Sequence, residues 1–173
     1  MSIRSSTKWY VGGLGLLLLV SYGGFIMKNY QPGQIDVEPN SQLTVGEFSN
    51  LIPFTLGRVS LLGSIADTDA ERQLGLSNTT EIPVGVAKVF IFDTSAAWGF
   101  WMKDMNYPID IFWLDENGRV IHIAENISPD TYPTSFAPPE PALYVIETKA
   151  GFASENNIQV EEVAGMTQIL MGR

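Results

Sequence analysis

Apolar positions along this chain follow two regimes. Residues 9–27 (WYVGGLGLLLLVSYGGFIM) carry no charge and are bracketed by Lys8 and Lys28. A helix of this length rises about 28 Å, close to the roughly 30 Å of bilayer hydrocarbon. No polar stripe recurs every third or fourth residue, as it would in a core helix. No small-x-small cleavage site of the A-x-A kind follows, so a membrane anchor is favoured over a cleaved signal peptide. Trp9, Tyr10 and Tyr30 stand near its ends, where interfacial aromatics concentrate. Arg4, Lys8 and the terminal amine precede the span and only Lys28 follows closely. That asymmetry predicts a single-pass chain with residues 1–8 in the cytoplasm and the rest facing the periplasm or exterior.

Residues 28–50 are polar, interrupted by Pro32, Gly33 and Pro39, and keep no period. They read as a flexible tether to a domain at 51–173. Residues 51–54 are either its docking point or a first strand.

From residue 56 onward the runs become short and rich in branched and aromatic residues, as strands are. Strands are expected at 58–66, with Gly63 as a bulge, and at 87–93, 98–102, 109–115, 119–125 and 143–149. Glu116-Asn117-Gly118 supplies turn chemistry that makes 109–115 and 119–125 a hairpin. Thr68 and Glu71 form a capping-box signature, which predicts a short helix from Asp69 to Leu74 stopped by Gly75. A second short helix is expected near 150–157 and a last strand near 158–163. Residues 128–141 (SPDTYPTSFAPPEP) hold five prolines, which forbid helix and central strand alike. That stretch is either an extended surface crossing or a ligand-facing flap.

Charge and composition narrow what such a domain can do. The first 28 residues hold three of the ten Lys and Arg and none of the nineteen Asp and Glu. The remainder therefore carries seven basic against nineteen acidic residues, a formal charge of −12. Such a surface repels phosphates, which argues against nucleic acid as a partner. There is no cysteine and one histidine, so disulfides, thiolate chemistry and multi-histidine metal sites are excluded. No cofactor is implied.

Several charges interrupt otherwise apolar runs, where their desolvation demands a reason. Lys103, Asp110 and Glu147 do so, and Arg72 lies on the short helix. Together they are either a polar ligand site or an ion-pair network that sets strand register. Lys103 and Asp110 flank a turn-like Asn106-Tyr107-Pro108 segment and are expected to meet on one face. Trp98, Trp101 and Trp113, with Tyr107, Tyr132 and Phe136, either line a cleft or fill a core. Asp67 to Glu71 resembles the opening of a calcium loop but lacks its glycine and distal acid, so helix capping explains it better. His122, on alternation, shares a strand face with Val120 and Ala124 and reads as packing. No G-x-S-x-G, histidine–acid pair or glycine-rich phosphate loop is present.

Residues 67–76 (DTDAERQLGL), 100–104 (FWMKD), 108–115 (PIDIFWLD), 118–123 (GRVIHI) and 143–151 (LYVIETKAG), with Pro129, occur in an order that resembles an uncharacterised family. It is domain of unknown function family 192 of bacteria and archaea. The resemblance spans roughly residues 57–165. It implies a mainly β (α+β) domain, a small jelly-roll-like sandwich with one or two short helices, here preceded by a transmembrane helix. It brings no reaction. Its motif positions fall on Asp67, Arg72, Gly75, Trp101, Met102, Lys103, Asp110, Pro129, Glu147 and Gly151. The sequence thus points to a membrane-tethered, non-catalytic binding or accessory module for a small-molecule, glycan or protein ligand. Its expected polar site is Arg72, Trp101, Lys103, Asp110 and Glu147. The alternatives are a hydrolase, glycan-directed, that uses Asp110 and Glu147 as paired carboxylates, and a purely structural envelope protein.

Overall fold

The computed structural model describes residues 47–171. The expected N-terminus, anchor and tether up to residue 46 lie outside the described residues. Among the described residues, no helix is long and apolar enough to cross a membrane.

Seven strands make one sheet in the order β6-β5-β8-β3-β2-β1-β9. They are β1 (Ile52–Leu56), β2 (Val59–Ala66), β3 (Val86–Ala96), β5 (Ile109–Leu114), β6 (Val120–Ile127), β8 (Ala142–Lys149) and β9 (Ala164–Gly165). All pairs are antiparallel except β2 with β3, whose parallel crossover contains helix α1 (Asp69–Leu74). Residues 51–54 thus open onto the first strand. The hairpin formed by β5 and β6 is present as its turn chemistry requires.

The sheet does not stay open. Beside the hairpin turn, the Val120 amide donates to the Glu162 carbonyl at 2.8 Å and the Ala164 amide to the Gly118 carbonyl at 2.8 Å. Residues 161–165 therefore join the far edge at β1 to the start of β6, and the sheet curls almost into a barrel. Where the family resemblance implied two facing layers, a single curled sheet supplies both walls. The last strand is correspondingly shorter and later than the 158–163 expected, because residues 158–162 form a turn that carries the chain to the hairpin, and only Val163 makes a bridge, to Arg119.

Closure explains the two cores. Leu56 of β1, Leu61 of β2, Phe112 of β5 and Val120 of β6 belong to one buried cluster although their strands are far apart in sheet order. Only a concave interior brings them together. The opposite face carries a second cluster, in which Val86, Phe90, Ile111, Trp113 and Val145 are covered by Phe48, Leu76, Ile82 and Met102 from the connecting segments. Phe48 is only 5% exposed, so the packed domain reaches back into the expected tether. Central strands buried on both faces read as nearly continuous apolar runs, and all six residues of β5 are buried.

The capping box forms as the sequence indicates. Thr68 Oγ1 accepts from the Glu71 amide, and Glu71 Oε2 accepts from the Thr68 amide at 3.1 Å. Gly75, at φ 53°, ends the helix. The proline-rich segment is neither strand nor helix for most of its length. Its Ser135–Phe136 pair (β7) bonds with Phe100–Trp101 (β4) in a separate two-stranded ribbon, the only part of the expected 98–102 strand that forms. A second short helix, α2 (Phe152–Asn156), and a third, α3 (Thr167–Met171), complete the described residues.

Candidate functional site

Strand alternation decides which charges meet. Ile111 lies in the outer cluster, and Glu147 stands directly opposite it on β8, so Glu147 faces outward. Asp110, one residue earlier on β5, faces the other way with Phe112 and Leu114. The two carboxylates are therefore on opposite faces of the sheet. They cannot flank one bond, and the paired-carboxylate arrangement expected for a hydrolase is not formed.

Asp110 is fully buried. Its carboxylate accepts from the backbone amides of Asn126 at 2.7 Å, Gly151 at 3.2 Å and Ala153 at 2.9 Å. It thus ties the end of β6 to the start of α2, whose first amides have no helical partner. Lys103 lies in the exposed turn after β4 and does not reach it. The expected Lys103–Asp110 pair is absent because the strand face that holds Asp110 is the interior one.

Glu147 is different. It is 5% exposed, and its Oε2 is buried with no hydrogen-bond partner. Lys88 faces it across the β3–β8 register, and Ser64 faces Lys88 across β2–β3. The Lys88 ammonium, however, donates to Ser64 Oγ at 3.3 Å and to the Ile65 carbonyl at 3.5 Å, away from Glu147. Burial pushes the Glu147 carboxyl up to about 8, with Lys88 pulling weakly the other way. Burial also pushes the Lys88 ammonium below its ordinary range, opposed by Glu147 and Glu71. Near neutral pH Glu147 is thus largely a neutral acid, able both to donate and to accept.

This carboxyl lies on the wall of a cavity of about 260 Å³. Phe90 and Phe92 of β3, Trp98, Phe100 and Trp101 supply its aromatic surface, and Arg72 and Lys103 line it too. The cavity therefore brings together four of the five expected site residues, Arg72, Trp101, Lys103 and Glu147, and leaves out Asp110. Arg72 is already committed. Its guanidinium donates to the carbonyls of Asp67 at 2.6 Å and Ile91 at 2.7 Å, and pairs with Asp69 at 2.6 Å. It also lies 5.4 Å over the Phe92 ring, which stacks on Trp98 at 4.1 Å. Trp101 is 55% exposed and packs edge-on against Tyr132 of the proline-rich segment. That segment thus buttresses the aromatic wall.

Two loops clasp each other at the cavity border. The Ser77 hydroxyl donates to the Lys103 carbonyl at 3.0 Å, and the Asn78 amide to the Asp104 carbonyl at 2.8 Å. Asn106 Nδ2 reaches the Thr79 carbonyl at 2.9 Å, and the Thr79 and Tyr107 hydroxyls share a hydrogen bond. The tryptophans divide as their exposure dictates. Trp113 is wholly core, its indole N–H donating to the Trp98 carbonyl at 2.9 Å, while Trp98 and Trp101 face the cavity. A larger groove of about 710 Å³ runs past residues 80–84 and 107–108, but no unpartnered buried polar group lies on it. Sequence reasoning missed Lys88, Phe90 and Phe92. Alternation from Val86 along β3 puts all three on one face, which was the available signal.

A near-closed β sheet with an aromatic cavity on its outer face, walled by a buried acid, defines the architecture. The chain belongs to domain of unknown function family 192, described as an uncharacterised conserved family, whose model matches residues 56–165. No protein of curated function matches it. Among solved structures it is similar to a protein of unknown function from Novosphingobium aromaticivorans, at 25% identity and a TM-score of 0.65. That match covers 72% of this chain and 90% of the other. It is also similar to a candidate transcription regulator from Sinorhizobium meliloti, at 20% identity and a TM-score of 0.61, over 65% of this chain and 91% of the other. At that identity the second likeness shows the fold alone.

Proposed function

We propose that this chain is a membrane-tethered, extracytoplasmic binding module whose ligand occupies the aromatic cavity beside Glu147, without catalysis of its own. One observation carries the reading: the Glu147 carboxyl, 5% exposed, lies on the cavity wall, and no protein donor meets its inner oxygen, Oε2. A buried carboxyl without a protein donor is under-solvated by about 1–3 kcal/mol, and a ligand donor on its cavity-facing side would offset part of that. The aromatic walls suit a compact, partly apolar ligand body. Arg72, which another kind of site would use to hold an anion, is instead spent on fixing β3 to α1. A single carboxyl on the cavity, with Asp110 facing the sheet interior, supports binding over a paired-carboxylate mechanism.

The experiment is a thermal-shift and tryptophan-fluorescence screen of the full chain in detergent micelles, against small saccharides, amines and aromatic acids. A ligand of the native state raises the melting temperature and perturbs Trp98 or Trp101 emission. Loss of that response in Trp98→Ala, with the melting transition retained, places the ligand in the cavity. Ligands that act equally on wild type and Trp98→Ala would overturn the assignment. The orientation is tested by protease added to spheroplasts, which digests the domain under the proposed topology and spares it under the reverse.

A further inference from the structure

We infer that the cavity takes an organic cation: an ammonium group carried on a small flat or aliphatic body, its N–H donors on Glu147 and its body against the aromatic wall. This rests on the reading of the cavity as a ligand site and names the chemistry of its occupant.

Three features select a cation over a neutral or anionic ligand. The first is the Glu147 carboxyl, which lies on the cavity wall with no protein donor on its Oε2. A carboxyl away from water ionises when a positive charge arrives beside it, and that contact is then a charge-assisted hydrogen bond. Lys88, the internal cation facing Glu147 from β3, donates to Ser64 Oγ and the Ile65 carbonyl rather than to Glu147, and Glu147 lines the cavity.

The second feature is the aromatic surface. Ring faces attract cations, and the protein already seats one there, with the Arg72 guanidinium 5.4 Å over Phe92. Trp98 and Trp101 extend that surface into the cavity. The third is the shortage of free positive charge to hold an anion. Arg72 is occupied by Asp69 and two carbonyls, and Lys103, although it lines the cavity, is exposed to water, where its charge is screened. The chain as a whole is acidic, at a formal −9, which raises the local concentration of cations.

The pH dependence follows from the groups that face Glu147. These are Lys88 from β3, Arg72 from α1, and Lys103 and Tyr107 from the turn after β4, while β5 offers only Ile111. Binding of a cation converts the neutral Glu147 to its carboxylate and expels a proton. Affinity therefore rises with pH up to about 8 and then levels.

The test uses the full chain in micelles and three probes of one shape: 2-phenylethylammonium, 2-phenylethanol and 3-phenylpropanoate. Titration calorimetry at neutral pH, in two buffers of different ionisation enthalpy, is expected to show the ammonium binding at least tenfold more tightly than the alcohol. It should also show proton release with the ammonium alone. Glu147→Gln is expected to abolish the preference, and Glu140→Gln, an exposed acid, to leave it. Proton release in the wild type keeps the inference testable even if Glu147→Gln folds poorly. Equal binding of alcohol and ammonium without proton release overturns the cation while leaving the cavity as a ligand site. Tighter binding of the propanoate does the same in favour of an anion. If neither these probes nor any saccharide binds, both the cation and the binding reading fall.

Discussion

Asp110 and Glu147 are both carboxylic acids buried in adjacent strands, and their partners give them opposite roles. Asp110 meets three backbone amides and is a structural tie. Replacing it with Asn withdraws the negative charge and one acceptor oxygen from that cluster, which should cost about 2–4 kcal/mol. Lys103→Met removes an exposed charge with no buried partner and should change stability by less than about 0.5 kcal/mol. Chemical denaturation of the two single variants and the double variant checks this. The effects should add, because the residues share no partner. A large loss from Lys103→Met, recovered in the double variant, would restore the ion pair that the sequence suggested. All these charges were legible as anomalies, since each interrupts an apolar run. Which of them lacked a partner was not legible. That depends on strand register and on the amides of residues 126, 151 and 153, which are distant in sequence.

At the scale of elements, local chemistry was readable where it is self-contained. The capping box and glycine stop of α1 and the hairpin turn at Glu116-Asn117-Gly118 draw on neighbours within a few residues, and the structure has them. Elements that depend on distant chain were read less well. A last strand was expected near 158–163, whereas the closing strap lies at 161–165, because its partner is the hairpin turn some forty residues earlier. Gly63 looked like a bulge, yet its register with β1 and with β3 is unbroken. Its function is close approach. A side chain there would meet Val89 Cγ2 at 3.1 Å and Phe54 Cδ1 at 3.2 Å. Gly63→Val is therefore expected to overpack the interior and cost about 1–3 kcal/mol, measured by denaturation. A neutral effect would show that β1 and β3 have room to move apart.

For the whole molecule, the sequence carried the class and not the shape. Short branched and aromatic runs, together with the family motifs, announced a mainly β domain of this family. Nothing local announces that one sheet curls to close on itself, since closure is set by summed strand twist and by a strap at the chain's far end. The curl is what matters for the site. It gives the sheet a packed interior and an outer face, and the connecting segments cover that outer face incompletely, leaving the aromatic cavity.

Burial of Glu147 has a cost that depends on pH. Its carboxyl is protonated in the folded state up to about 8 and ionised in the unfolded state above the ordinary carboxylate range. The native state then binds the extra proton, so this contribution to stability is full at low pH and is lost as pH rises through about 8. The most direct test of the account is an NMR titration of the Glu147 side-chain carboxyl carbon in the ligand-free protein. The midpoint is expected near 8 and falls when 2-phenylethylammonium is added. A midpoint close to the ordinary value of 4.5, unmoved by the ammonium, would mean that Glu147 is already paired or hydrated and would contradict it.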